Sequence, residues 1–173
     1  MNEREISEAV QAVLNRMKET EPEEERAADC GAQRLEMTLA LANALIEKVK
    51  ARAAEIGVNA VVAVSDRAGR PVSVQCMDGA YIASYDIALN KTYTSASLKM
   101  STAELSKLSQ PGQPLYGIQF TNGGKIVIFG GGEVLEADGE IVGALGVSGG
   151  TASQDTALAA YGKEVFKEVL ECR

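Results

Sequence analysis

The chain has 173 residues, 46% of them hydrophobic, and a formal net charge of −7. This composition indicates one soluble, cytoplasmic domain with a substantial core, and no stretch is typical of a secretory signal or a membrane span. Histidine is absent. Within a single chain, its absence excludes Ser-His and Cys-His nucleophiles, His-ligated zinc and haem held by a proximal histidine.

The first segment, residues 1–17, is predicted to be a short amphipathic helix. Its apolar side chains recur at helical spacing, and the opposite face is polar. The apolar stripe consists of Ile6, Val10, Val13, Leu14 and Met17. Residues 18–31 contain Pro22 and five glutamates without a hydrophobic period, which is typical of a solvated linker. The folded domain is therefore expected at residues 32–173.

The negative charge is concentrated near the start of the chain. Residues 1–30 carry nine acidic and four basic side chains, so the remainder is nearly neutral. It has no basic stripe of the kind that binds nucleic acid, and the mainly acidic polar face of the first helix argues against a membrane-surface role. The cysteines are widely spaced and odd in number, which favours reduced thiols over a disulfide or a zinc site. They are Cys30, Cys76 and Cys172.

The domain is predicted to begin with a helix from about Gln33 to Gly57, followed by two strands that meet in a hairpin at residues 66–69. Residues 81–100 supply a second main helix. Ser101 with Glu104 has the spacing of a capping box and starts a separate short helix.

Three further strands are predicted at residues 125–130, 132–138 and 139–149, the last two joined by Asp138-Gly139. Gly146 falls in the last strand, where a side chain would crowd a neighbouring backbone. Thr151 with Gln154 caps a terminal helix that runs to about Leu170. The order of elements predicts an α/β (α+β) domain with a mostly antiparallel five-stranded sheet and helices on its faces.

The glycine-rich stretch GGGEVLEADGEIVGALGVSGGTASQD, residues 130–155, lies mainly between two strands. A dinucleotide-binding turn connects a strand to the following helix, and a Walker A loop ends in Gly-Lys-Ser/Thr, so neither motif fits. Gly149 and Gly150 precede the terminal helix. They are interpreted either as an anion-binding helix start or as plain turn geometry.

The ordered segments DRAGRPVSVQCMDGAYIASYDIALNKTYTS, LYG and GGGEVLEADGEIVGALGVSGGTASQDTALAAYG resemble the GlcG/HbpS haem-binding-like family. Members of that family also form the C-terminal domain of PduO-type cobalamin adenosyltransferases. The similar region covers about residues 33–170. The resemblance implies a profilin-like α/β/α domain with a five-stranded antiparallel sheet, assembled into a homo-oligomer, in which the glycines occupy turn and close-approach positions.

The resemblance also implies binding of haem or a related tetrapyrrole, such as a corrinoid. Five residues match the family's motif positions and are predicted to form a pocket wall: Met77, Asp78, Gly79, Ser84 and Lys91. The alternative is that Asp78-Gly79 is only a turn and that Lys91 belongs to a solvated or interface face of the helix.

A haem complex of this chain would have to lack histidine ligation. Iron accepts thioether, thiolate and phenolate ligands as well. The side chains of these types in the domain are Met37, Met77, Met100, Cys76, Tyr81, Tyr85, Tyr93 and Tyr116. Each of them has the alternative of being an ordinary core or surface residue.

The helix at residues 1–17, with the acidic linker after it, resembles the encapsulation peptides of bacterial microcompartments. The resemblance implies that a shell or cargo protein buries the apolar stripe in a groove, and that the protein resides inside a microcompartment. The alternative is that the stripe packs on its own domain or in an oligomer interface.

The sequence thus favours a non-catalytic tetrapyrrole-binding accessory protein, with no assigned catalytic residue and no recognisable metal-ligand set. A second hypothesis is a small-metabolite enzyme or enzyme-activating subunit that uses Lys91, Asp78 or Asp155 for proton transfer. No spacing pairs an acid with a base. A third hypothesis is an oligomeric scaffold that binds no ligand.

Overall fold

The structure is a computed structural model and describes residues 35–171. The predicted helix at residues 1–17 and the linker at residues 18–31 lie outside these residues. The described elements are, in chain order, α1 (Leu39–Glu55), β1 (Val61–Asp66), β2 (Pro71–Cys76), α2 (Ile82–Leu98), α3 (Thr102–Leu108), two 3-10 turns (Ile118–Phe120 and Asn122–Gly124), β3 (Gly132–Ala137), β4 (Glu140–Ser148) and α4 (Ala152–Glu171).

The strands form one antiparallel sheet in the order β2-β1-β4-β3. Val61 at the start of β1 pairs with Cys76 and Ser148, which end β2 and β4. The chain leaves this end of the sheet to begin α2 and α4, and it is called the helix end below. The two tight turns, β1–β2 and β3–β4, lie together at the opposite end, called the hairpin end.

One face of the sheet carries the main core, because successive strand residues alternate between faces. Val62 and Val64 point toward α1 and α4, where Leu45, Val49 and Phe166 are fully or almost fully buried. Burying each large apolar side chain of this kind stabilises the fold by roughly 1.5–3 kcal/mol. This layer therefore supplies most of the hydrophobic stabilisation.

The other face is covered by α2, which approaches β4 so closely that Gly146 has no room for a side chain. A Cβ at Gly146 would meet the carbonyl oxygen of Ala88 and would lie 2.9 Å from Cγ2 of Thr92. The predicted position of Gly146 in the last strand is confirmed. The small residues of α2 permit this close helix-on-sheet contact.

The predicted fifth strand at residues 125–130 is wrong, and residues 35–171 contain four strands. Ile126 and Val127 are buried, as their apolar character suggests. Their backbone, however, bonds to a side chain of α2: Val127 N donates to Thr94 Oγ1 at 3.0 Å, and that hydroxyl lies 3.3 Å from the Lys125 carbonyl oxygen. A helix side chain thus takes the place of a neighbouring strand, while the α+β class is confirmed.

Local signals placed most boundaries correctly. Ser101 Oγ accepts from Glu104 N at 3.1 Å, and Asp138 and Gly139 both have positive φ, as a type I′ hairpin turn requires. Helix α1 starts at Leu39, later than predicted, because Thr38 is extended and caps it with its hydroxyl. Among residues 35–171, no helix combines the length and the apolar character needed to cross a bilayer.

Candidate functional site

Several of the predicted pocket residues surround Asn59 and Ala60 at the helix end. Ala60 N lies 3.4 Å from the Met77 sulfur, which accepts its hydrogen bond. A Cβ at Gly79 would lie 3.0 Å from Asn59 Nδ2, and one at Gly149 would meet the Asn59 carbonyl oxygen. The turns that lead into α2 and α4 are therefore packed against the same two residues, with Asp78 exposed on the first turn.

Ser84 and Lys91 extend this cluster along the sheet-facing side of α2. Ser148 Oγ donates to Ser84 Oγ at 3.2 Å, with both side chains buried. Lys91 is completely buried, at 0% exposure. Its ammonium donates to Asp155 Oδ2 at 2.8 Å and to the Val147 carbonyl oxygen at 2.7 Å.

The Lys91–Asp155 pair joins α2 to the start of α4, and sequence reasoning missed it. The two residues are 64 positions apart. A usable signal did exist, since Lys91 follows Ser84 and Ala88 at helical spacing, and such a stripe of small residues indicates a face pressed against the sheet. A lysine in that stripe must be buried and therefore needs an internal carboxylate.

The second oxygen of Asp155 closes the turn before α4. Gly150 N donates to Asp155 Oδ1 at 2.9 Å, and Thr151 N donates to Gln154 Oε1 at 2.9 Å. In return, the Thr151 hydroxyl accepts from Gln154 N, which completes the predicted capping box. The amides of Gly150 and Thr151, which an anion at this helix start would need, are thus already bonded, as the plain-turn alternative expects.

The electrostatics of the pair follow from its burial. Burial lowers the pKa of Lys91 from its usual value, and the hydrogen bond and charge of Asp155 act in the opposite direction. The ring centroid of Phe129 lies 5.1 Å from Nζ, so a carboxylate, a carbonyl and an aromatic ring all face the amine. These three groups stabilise the charged form of Lys91, which then serves to join α2 to α4.

Concave surface is present at the other end of the molecule. Three adjoining depressions surround the hairpin end, with volumes of about 610, 370 and 210 Å³. The first is lined by Leu35, Glu136, Ala137, Asp138, Gly139, Lys167, Leu170 and Glu171. The second is lined by Arg67, Ala96, Lys99, Gly139, Glu140 and Ile141, and the third by Glu36, Met37, Asp66, Arg67, Arg70, Val72 and Val142.

Two arginines at this end differ in their contacts. The half-buried Arg67 belongs to the walls of both smaller depressions, and its Nη2 donates to the Leu35 carbonyl oxygen at 2.8 Å. The exposed Arg70 instead pairs with Asp66, Nε to Oδ2 at 2.9 Å. No local sequence pattern distinguishes the two arginines, because the difference between them arises in the hairpin geometry.

The side chains that can ligate haem iron are scattered. Met37, at 7% exposure, belongs to the main core and is the one among them that lines one of the three depressions. Met77 and Tyr93 already accept hydrogen bonds, the latter from Asn122. Met100 is half-buried, and the rest are exposed: Cys76, Tyr81, Tyr85 and Tyr116. Residues 35–171 contain no group of three acidic or cysteine side chains suited to a metal ion.

A model of the family described as haem degrading protein HbpS-like matches residues 37–164. The chain belongs to this family. The family resemblance predicted from the sequence motifs is confirmed.

Three relatives place the chain within the family. The Klebsiella pneumoniae protein ORFY is 43% identical, with 80% of this chain and 95% of that one covered and a TM-score of 0.75. PduOC, solved as a complex with haem, is 34% identical, with 75% and 94% covered and a TM-score of 0.72. The corrinoid adenosyltransferase PduO of Salmonella typhimurium is 40% identical over 108 residues, 62% of this chain. The match spans 32% of PduO.

Proposed function

We propose that this protein is a non-catalytic accessory protein that binds a tetrapyrrole, with haem as the preferred ligand, at the hairpin end. The observation that carries the proposal is the concave surface there. The first of the three depressions, about 610 Å³, has the size of a small-molecule site and includes the apolar side chains of Leu35, Ala137 and Leu170. The similarity to PduOC, which was solved with haem, supports the choice of ligand.

The donor set at the hairpin end fits haem. Haem needs apolar walls, an iron ligand and cations for its two propionates. Met37 offers a thioether in the third depression, Val72 and Val142 offer apolar contact, and Arg67 offers a guanidinium group. Bound haem would supply redox and small-ligand chemistry at its iron, and these residues would hold and orient it.

The acid–base pair of the helix end supports a binding role over an enzymatic one. Lys91 and Asp155 are two of the three residues proposed for proton transfer, and they do form a pair. However, both are buried, and neither lines any of the three depressions. The third, Asp78, is exposed and lines none of the three depressions. A general acid or base must come within hydrogen-bonding distance of its substrate, and this pair has no such access in the described structure.

The experiment that tests the proposal is a titration of the full chain with haemin and, separately, with cobalamin, because PduO acts on corrinoids. We expect a saturable change in the Soret region with haemin and a weaker response with cobalamin. A spectrum that stays flat with both ligands would overturn the proposal. A thermal-shift screen that is also flat would favour the scaffold hypothesis, since a ligand that binds the native state raises its melting temperature.

The ligand-binding residues predicted from the sequence remain an alternative location for the ligand. Met77, Asp78, Gly79, Ser84, Lys91, Gly149 and Gly150 belong to the helix end, whereas Met37 belongs to the hairpin end. Met37→Leu and Asp78→Asn are matched, nearly isosteric variants that separate the two locations. We expect Met37→Leu to change the iron spectrum or weaken haemin binding, and Asp78→Asn to leave both unchanged. The reverse result would move the site to the helix end.

We also propose that the protein forms a homo-oligomer through α2. Tyr81, Ile82 and Tyr85 lie on its first two turns, and Ile82 is 96% exposed. A cluster of exposed large apolar side chains is typical of a protein interface. Sedimentation of Ile82→Glu should show a smaller species than the wild type, and an unchanged mass would exclude this face.

For residues 1–17 we propose recognition by a microcompartment shell or cargo protein. The support is the sequence pattern, in which the apolar stripe is followed by an acidic linker. Fusion of residues 1–17 to a fluorescent protein should recruit it to microcompartments, and Val10→Glu with Leu14→Glu should abolish recruitment by placing charge in the stripe. A diffuse signal from the unmodified fusion would overturn this proposal.

A further inference from the structure

Within residues 35–171, the fold holds Arg67 in place and leaves most of its N–H donors without a partner. A guanidinium has five N–H donors in a planar fork. The described side-chain contact of Arg67 is the hydrogen bond from Nη2 to the Leu35 carbonyl oxygen. That bond fixes the guanidinium between the second and third depressions, where it lines both walls.

The carboxylate next to Arg67 in sequence is fully engaged elsewhere. Asp66 Oδ1 accepts from the backbone amides of Ala68 and Arg70, at 2.8 and 2.9 Å, and Oδ2 accepts from Arg70 Nε. Among residues 35–171, no carboxylate forms an ion pair with Arg67, although Glu36 and Glu140 line the same depressions. Asp66 is thus fully hydrogen-bonded within the hairpin turn. The half-buried Arg67 is left with a backbone carbonyl as its described partner.

A second cation faces the same space. Lys99 ends α2 in the left-handed conformation, with φ of 55°, and its exposed side chain contributes to the second depression with Arg67. Glu140 is the one acidic side chain lining that depression. Two cations, one of them a preoriented fork, suit a carboxylate, which arginine binds with two parallel hydrogen bonds.

We propose that Arg67, assisted by Lys99, is the carboxylate-recognition group of the ligand site, and that it binds the propionates when haem is the ligand. This inference rests on the function proposed above. It assigns different tasks to the two neighbouring arginines: Arg67 recognises the ligand, whereas Arg70 closes the hairpin with Asp66.

The test compares haemin with its dimethyl ester, in which both propionates are neutral. The full-length wild type, Arg67→Gln and the matched control Arg70→Gln are titrated with each compound. We expect the wild type to bind haemin about tenfold more tightly than the ester or better, which is the scale of one charge-assisted hydrogen bond. Arg67→Gln should reduce this preference to near unity, and Arg70→Gln should leave it intact.

Each outcome bears on a different claim. Failure of the wild type to bind either compound would overturn the proposed function, whereas equal binding of the two by the wild type would overturn the inference alone. An equal loss of preference in both variants would overturn the distinction between the arginines. If Arg67→Gln does not fold, Arg67→Lys replaces it. That variant keeps the charge but loses the fork, so it should retain part of the preference, and full retention would exclude recognition by the guanidinium.

Discussion

The basic side chains at the two ends of the sheet differ in their burial and in their hydrogen-bond partners. At the helix end, Lys91 is fully buried and donates to a carboxylate and a carbonyl of its own fold. At the hairpin end, Arg67 is half-buried, donates to one carbonyl and lines two depressions. A buried charge must be matched internally or the fold fails, whereas a ligand site needs donors that the fold leaves available. The comparison therefore favours a structural role for the first end and supports the binding role proposed for the second.

The largest expected effect comes from removing the cation at the helix end. Lys91→Met leaves the Asp155 carboxylate buried without its partner and should lower the free energy of unfolding by about 3–5 kcal/mol. Denaturant titration measures the loss. Lys107→Met, on the exposed surface of α3, is the control and should change stability little. A similar small change for both variants would show that the pair is not a structural requirement.

The second-largest loss of stability is predicted for Gly146→Val, which disturbs the packing of α2 on β4. The new side chain would collide with the Ala88 carbonyl oxygen and the Thr92 side chain, so α2 would have to move away from β4. Overpacking of this kind destabilises a fold by about 1–3 kcal/mol, and backbone collisions lie at the upper end. The melting temperature should fall accordingly. An unchanged value would mean that α2 shifts on the sheet without loss of packing.

The sequence predicted the features that depend on neighbouring residues and missed those that depend on distant ones. The Asp138-Gly139 turn and the Ser101 cap are local, and both are confirmed. The predicted strand at residues 125–130 failed because Thr94, about thirty positions earlier, supplies its hydrogen bonds. No local pattern indicates which carboxylate a lysine will meet across the fold. The resemblance of the sequence motifs predicted the family correctly. It did not reveal that Lys91 is paired inside the fold whereas Arg67 lines two depressions.

A smaller effect is expected for Glu133, a half-buried acid of β3 that forms a long ion pair with Lys163. Burial raises its pKa above the usual 4.5, the nearby Lys163 opposes the shift, and Glu104 adds to it. The Glu133–Lys163 distance is 3.5 Å, longer than in the Lys91–Asp155 pair. Between pH 4.5 and the raised pKa, the Glu133 carboxyl therefore keeps its proton in the folded state and loses it in the unfolded state.

The sign of the pH dependence follows from that proton. The contribution of Glu133 to stability is fully present below about pH 4.5 and is lost as the pH rises through its folded pKa. Glu133→Gln removes this dependence. At neutral pH the variant should therefore be slightly more stable than the wild type, by less than about 1 kcal/mol. Unfolding at pH 4, 5, 6 and 7 provides the measurement, and a lower stability of the variant at pH 7 would show that the bond to Lys163 outweighs burial.

The smallest effect is expected at the start of the chain and tests whether the hairpin end is complete by itself. Deletion of residues 1–30 retains Leu35, and with it the carbonyl that fixes Arg67 and part of the wall of the first depression. The contacts that define the site lie within residues 35–171, so the melting temperature and the haemin affinity should both remain close to those of the full chain. The deletion variant is compared with the full chain in thermal unfolding and in the same haemin titration. A fall in affinity at constant melting temperature would place residues 1–30 in the ligand site, and a fall in both would make them part of the fold and exclude a role confined to targeting.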